Sequence, residues 1–252
     1  AHDAVARLGL VKLEKGQKVK GRAMVVGATG AIGAACARLL ARTTEELHLV
    51  SPEAAKLLVL KKSIQKESPG VRLVLSSYAD SDENIGDMDM IVTATSGAGK
   101  KILDIMRVKP GCVITDVARP LDLSPEDVAK RPDVLVIESG EISLPGEVKM
   151  KSIGFEDRSV VYACLAETIV LALEGRFENF TLGRNLDWEK LHEIYKLGLK
   201  HGMELAAISG VNGVYSDEQI ARVRQLALEA RKTWPAKDKV AKPKKRAKRR
   251  RA

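Results

Sequence analysis

The chain has 252 residues, enough for one large domain or one domain with an appendage. Hydrophobic residues make up 45% and charged residues 30%, an ordinary globular composition, and no apolar run approaches the roughly 18 residues of a membrane span. The formal net charge of +9 sits in the tail, since residues 237–252 hold ten basic side chains and one acid while the remainder is balanced.

No secretory pattern of basic start, apolar stretch and small-residue cleavage site is present, so the cytoplasm is the default location. The chain opens on Ala1 in helical text, with Ala4, Val5, Leu8 and Val11 at helical spacing. Residues 1–20 are therefore expected to be an N-terminal helix, left from a domain that precedes the given sequence.

From residue 21 to about 150, strand-like and helix-like segments alternate, the signature of a parallel α/β sheet. Ala23–Val26 reads as a strand buried on both faces, Ala31–Arg42 as a helix, Leu47–Val50 as a second strand and Pro52–Lys66 as a second helix. Val71–Leu75, Met88–Ala94, Cys112–Thr115 and Val134–Ile137 supply four more strands. Between the first strand and its helix stands Gly27-Ala28-Thr29-Gly30-Ala31-Ile32-Gly33. Glycine lets the chain turn sharply out of a strand and lets the backbone approach a pyrophosphate, while the helix offers its N-terminal N–H groups to the phosphates. The expected fold is a doubly wound parallel Rossmann sheet holding a nicotinamide dinucleotide, with a helical C-terminal part and a disordered basic tail.

The end of the second strand should read the adenosine ribose. Ser51 and Lys56 suit a 2′-phosphate and Glu53 opposes one, which points to NADPH without excluding NADH. Thr95 and Ser96 after the fourth strand, and the loop Asp116-Val117-Ala118-Arg119-Pro120 after the fifth, lie at strand carboxyl ends and are expected beside the nicotinamide.

Residues 151–235 change in character. A helical pattern runs from Ser159 to Glu174, with Asp157 and Ser159 as candidate caps and Gly175 at its end. Further helical stretches run from Asp187 to about Gly202 and from Ser216 to about Trp234, expected to pack back on the sheet. Residues 236–252 have almost nothing apolar to bury, so they should stay unstructured and attract anions weakly.

Three widely spaced cysteines, Cys36, Cys112 and Cys164, form no metal or redox pair. On spacing alone each reads as a buried core residue. Cys164 differs only in lying near a helix start, where the dipole favours thiolate.

The stretch Tyr162-Ala163-Cys164-Leu165-Ala166-Glu167 and the later Leu173-Glu174-Gly175-Arg176-Phe177-Glu178-Asn179-Phe180-Thr181-Leu182-Gly183-Arg184-Asn185 resemble the carboxyl-terminal part of long-chain acyl-[acyl-carrier-protein] reductases. The glycine loop and Lys200-His201-Gly202 extend that resemblance over roughly residues 1–205. It implies NADPH-dependent reduction of an acyl thioester, carried by acyl carrier protein or coenzyme A, to a fatty aldehyde, with Cys164 as nucleophile. Glu167 and His201 are then candidates for proton transfer, and Arg184 and Asn185 for orienting the cysteine or substrate. This chain has only about 20 residues where the family carries a sizeable first domain, and the basic tail lies outside the family pattern. Two alternatives share the glycine loop: a dehydrogenase of shikimate or glutamyl-tRNA reductase type that does not use Cys164, and a non-catalytic dinucleotide-binding regulator whose tail docks on nucleic acid.

Overall fold

The computed structural model describes residues 1–11, 19–79, 84–97, 101–148, 151, 155, 157–183 and 186–235. The basic tail and the pair Arg184 and Asn185 lie outside the described residues. The centre is a six-stranded parallel sheet of β1 (Val19–Val26), β2 (Thr44–Val50), β3 (Arg72–Ser76), β4 (Met90–Thr93), β5 (Val113–Asp116) and β6 (Leu135–Glu138). Its order, β3-β2-β1-β4-β5-β6, is that of the doubly wound Rossmann fold. The direction of winding reverses between β1 and β4, which opens a crevice at their carboxyl ends.

The strand sequences explain why the sheet is central. Along β1, Ala23 and Val25 enter one apolar layer and Met24 and Val26 the other, as a two-residue repeat requires. Helices α2 (Ala31–Ala41) and α3 (Ala54–Glu67) cover the first layer with Ala37, Leu40, Leu57, Leu60 and Ile64. The second layer is closed by Ile85, Met88, Leu103 and Ile105. Each of the six expected strands is present within a few residues of its expected span.

Helix α1 (His2–Leu8) buries Ala4, Val5 and Leu8 in the layer that holds Val25 and Leu49. It packs against α7 (Asp217–Arg231), which returns to the sheet with Ile220 and is started by a reciprocal Ser216–Gln219 capping box. A short helix α4 (Pro125–Ala129) precedes β6.

Beyond β6 the structure departs from the helical pattern expected after Ser159. Residues Val160–Tyr162 form strand β8, antiparallel to β7 (Glu141–Ser143), and β7 also pairs with β9 (Glu204–Leu205). The reason is local: Val160, Val161 and Tyr162 are β-branched or aromatic and find a partner strand, with Val161 fully buried. Asp157 therefore accepts hydrogen bonds from the Ser159 N–H and hydroxyl in a turn, and does not cap a helix. Helix α5 starts later, at Ala163, and runs to Leu173. It packs on α6 (Trp188–Lys200), and Ala166, Val170 and Met203 join Val161 in a small separate core. A two-stranded pairing of β10 (Ser209–Gly210) with β11 (Gly213–Val214) leads into α7. No helix among the described residues is long and apolar enough to cross a membrane.

A Cβ on Gly33 would lie 2.1 Å from the Gly27 carbonyl oxygen, whereas a Cβ on Gly70 would meet nothing within 4 Å. Gly33→Ala should therefore destabilise the fold by about 1–3 kcal/mol, the range for overpacking a tight contact, and Gly70→Ala should not. Thermal unfolding of the two variants checks this, and equal melting temperatures would contradict the tight turn.

Candidate functional site

The glycine turn leaves β1 under two backbone ties, since the N–H groups of Gly27 and Ala28 both donate to the Val50 carbonyl at the end of β2. Gly27 has φ +81°, and a Cβ there would stand 2.4 Å from the Ala94 carbonyl oxygen beyond β4. Position 27 must be glycine on both counts. Gly30 caps α2 without a side chain, so the first turn of that helix is bare backbone. Ala28 is buried beneath the turn and Ala31 half-buried, while Ile32 is exposed beside it. A backbone-walled helix N-terminus at the switch point of a parallel sheet fits a dinucleotide pyrophosphate.

Thr29 joins this turn to the end of β2. Its hydroxyl is 2.7 Å from the Ser51 hydroxyl and donates to Glu53 Oε2 at 2.7 Å. Ser51 is buried and also accepts from the Glu53 N–H at 3.2 Å, so it braces the turn. Glu53 is the N-cap residue of α3, and Lys56 in the first turn of that helix pairs with its carboxylate. A cavity of about 470 Å³ opens against Thr29 and Lys56, between α2 and α3 and under Trp188 of α6.

The loops after β4 and β5 interlock. The Thr95 N–H and hydroxyl both donate to Asp122, at 3.1 and 2.5 Å, and Thr95 accepts from the Gly97 N–H, while Ser96 between them is exposed. Asp116, at the end of β5, is buried and accepts from the N–H groups of Ala118, Asp122 and Leu123 at 3.1, 2.8 and 3.0 Å. Burial raises its carboxyl above the ordinary range, against the pull of those N–H donors. Its oxygens are spent on shaping the loop that holds Thr95.

Arg119, in the same loop, reaches across to the next strand. Its guanidinium donates to the Ser139 carbonyl at 3.3 Å, lies 3.4 Å from Glu138 and 3.6 Å from Glu141, and sits 5.6 Å from the centre of the Tyr162 ring. Burial pushes the Glu138 carboxyl up, and Arg119 opposes that shift. Tyr162 is the N-cap residue of α5, and the Ala163 N–H donates to the Gly140 carbonyl at 2.8 Å. The start of α5 is thereby fastened two residues beyond the carboxyl end of β6. Cys164 is the second residue of that helix and is exposed.

The other two cysteines are less accessible, Cys36 half-buried and Cys112 buried. Cys112 is fully buried and its thiol is pushed far up by desolvation, and burial also raises Cys36.

Glu167, one turn beyond Cys164, accepts from the Thr181 N–H at 3.2 Å and from the Thr181 hydroxyl, tying down the connection after α5. His201 caps the end of α6, with Nε2 2.5 Å from Glu174 Oε1, and Lys200 binds the same oxygen. Lys200 and His201 together hold the Glu174 carboxyl below its ordinary range. Glu174 ends α5, so His201 sits ten residues along that helix from Cys164, about 15 Å at 1.5 Å per residue. The structure does not bring His201 to the cysteine. Asp122 and Glu138 carry no signal of their own in the sequence, whereas Arg119 belongs to the loop expected beside the nicotinamide. The position of Arg119 after a strand end was readable, but its partners across β6 and β8 were not.

No family profile matches the chain. An aminotransferase PigE from a Serratia species is 36% identical over 207 residues, covering 81% of this chain and 23% of that protein. A long-chain acyl-[acyl-carrier-protein] reductase from Synechococcus elongatus is 24% identical over 190 residues, covering 73% of this chain and 53% of that protein. The chain thus spans about a quarter of the first relative and about half of the second. Among solved structures, 5-ketofructose reductase from a Gluconobacter strain aligns with a TM-score of 0.41 at 16% identity, over 77% of this chain and 70% of that one. Quinate dehydrogenase from Corynebacterium glutamicum in complex with NAD aligns with a TM-score of 0.40 at 19% identity, over 52% and 50%.

Iodoacetamide at neutral pH should modify Cys164 first and leave Cys112 unmodified until the protein is denatured. Peptide mapping reads the order, and early labelling of Cys112 would contradict the buried placement.

Proposed function

We propose that this chain is a nicotinamide-dependent oxidoreductase that reduces a long-chain acyl thioester to an aldehyde through an acyl group carried on Cys164. The observation that carries this reading is the exposed cysteine at the start of α5, fastened by the Ala163–Gly140 hydrogen bond just beyond a strand end of a dinucleotide-type sheet. Ligands of this fold bind at the carboxyl ends of the strands, and the start of α5 is tied to Gly140, two residues beyond β6.

The chemistry asked of the chain is nucleophilic. The Cys164 sulfur attacks the carbonyl carbon of the incoming thioester, a new C–S bond forms, and the bond to the carrier sulfur breaks with its electron pair leaving on that sulfur. The nicotinamide, when bound, supplies the hydride that turns the Cys164-bound acyl group into aldehyde and frees the thiolate. Gly27, Gly30 and Gly33, with Ala28, Thr29, Ala31 and Ile32, would hold the pyrophosphate. Thr95 and Ser96 would face the nicotinamide half, in a loop shaped by Asp116 and Asp122.

For the cofactor we favour NADPH, with Lys56 and the N-terminus of α3 taking the 2′-phosphate and Ser51 bracing the turn. The carrier is acyl carrier protein or coenzyme A. Of the two relatives by sequence, the one named for acyl reduction supports the reading.

Mixing the protein with an acyl thioester and no cofactor should give an acyl adduct on Cys164, seen as a mass increase on its peptide. The Cys164→Ala variant should show none. A folded wild-type protein that stays unmodified would overturn the thioester route.

Cofactor choice is checked separately by fluorescence titration of NADPH and NADH. Lys56→Ala should weaken NADPH about tenfold and spare NADH, while Glu53→Gln should strengthen NADPH by removing a like charge. Unchanged NADPH affinity in both variants would remove Lys56 and Glu53 from the phosphate contact.

A further inference from the structure

We infer that the acyl chain lies in a cleft along α5, between that helix and the connection that follows it. The inference rests on the Cys164 acyl-transfer reading and adds the place where the hydrocarbon goes. A cleft of about 690 Å³ is bounded on one side by Glu167, Thr168 and Leu171 of α5. These residues lie three, four and seven positions after Cys164, and a helix places such positions on one face. The cleft therefore continues the face that carries the sulfur and begins one turn beyond it. Its volume falls in the ordinary range for small-molecule sites.

The opposite wall is the connection 176–182, which sets Phe177, Phe180 and Leu182 among polar side chains. Several polar groups of the cleft are engaged within the chain. Glu167 holds Thr181, Arg176 bonds Glu178 and Glu193, and the Thr168 hydroxyl donates to the Cys164 carbonyl at 3.2 Å. Carbon remains on offer. Leu171 and Phe180 form buried parts of the lining, whereas Phe177 is 91% exposed and Leu182 63% exposed at its rim. Large apolar side chains held in water beside a cleft lose that exposure when a hydrocarbon chain covers them. A carbonyl carbon bonded to the Cys164 sulfur would place its alkyl chain along this face of α5, so one ligand accounts for both features.

The test compares cofactor-free acylation of Cys164 by acetyl-coenzyme A and by dodecanoyl-coenzyme A, followed as mass on the Cys164 peptide. In the wild type the dodecanoyl thioester should react at least tenfold faster at equal concentration. Thr168→Trp places an indole in the cleft from an exposed helix position, and Phe177→Ser removes the apolar rim from an exposed one. Each should lower the dodecanoyl-to-acetyl rate ratio at least tenfold. A ratio that is near one in the wild type, or that neither variant changes, overturns the cleft assignment while leaving Cys164 acylation intact. Failure of both thioesters to acylate wild-type Cys164 instead overturns the thioester reading itself, and the cleft assignment with it. Circular dichroism and melting temperature confirm that each variant is folded before its ratio is read.

Discussion

Two contacts that admit no side chain hold the glycine-turn end of this sheet together. Gly27 turns out of β1 at positive φ against the Ala94 carbonyl, and the Gly33 Cα packs against the Gly27 carbonyl. Because both neighbours are backbone, no rotamer change relieves a methyl group at either position. The first contact sets β1 against the end of β4, and the second sets the first turn of α2 against the end of β1. Together they fix where a helix N-terminus meets the crevice between β1 and β4. The Thr29, Ser51 and Glu53 hydrogen bonds then attach the end of β2 to the same turn.

From that anchor the sheet passes position along itself. β4 carries Thr95, β5 carries Asp116 and the Arg119 loop, and β6 ends in Glu138 and leads to the Gly140 carbonyl that receives the start of α5. Each step is a short polar link between neighbouring strand ends. Carboxylates perform much of this work, and Asp116 tolerates its burial because three backbone N–H groups satisfy it. The cysteine is thus placed by the strand ends as well as by its own helix. Along the cleft, the Glu167–Thr181 contacts in turn tie the connection after α5 to that helix.

The position of His201 shows how chain proximity and spatial proximity part. It belongs to a segment that resembles acyl reductases, as does Cys164, yet its ring binds Glu174 at the opposite end of α5. Not every residue near the cysteine in sequence serves it either. Glu167 is only three positions away and is engaged by Thr181. Charged groups beside the start of α5 include Arg119, Glu138 and Glu141, which come from one loop and two strands earlier in the chain.

The sequence by itself determined the sheet and its glycine turn, because both are written in local signals: apolar runs of strand length, helical periodicity, and glycines spaced to leave a strand and open a helix. It placed Ser51, Glu53 and Lys56 at the end of β2 for the same reason. Only the tertiary structure decided that Val160–Tyr162 is a strand, since β-branched residues on an amphipathic stretch suit either state until a partner edge is present. That pairing moved the start of α5 to Ala163 and left Cys164 exposed at its first turn. The same folding step decided which carboxylates are braces and which face the cleft. Hydrogen-bond partners between distant segments exist only once the chain has closed, and no spacing along the chain encodes them.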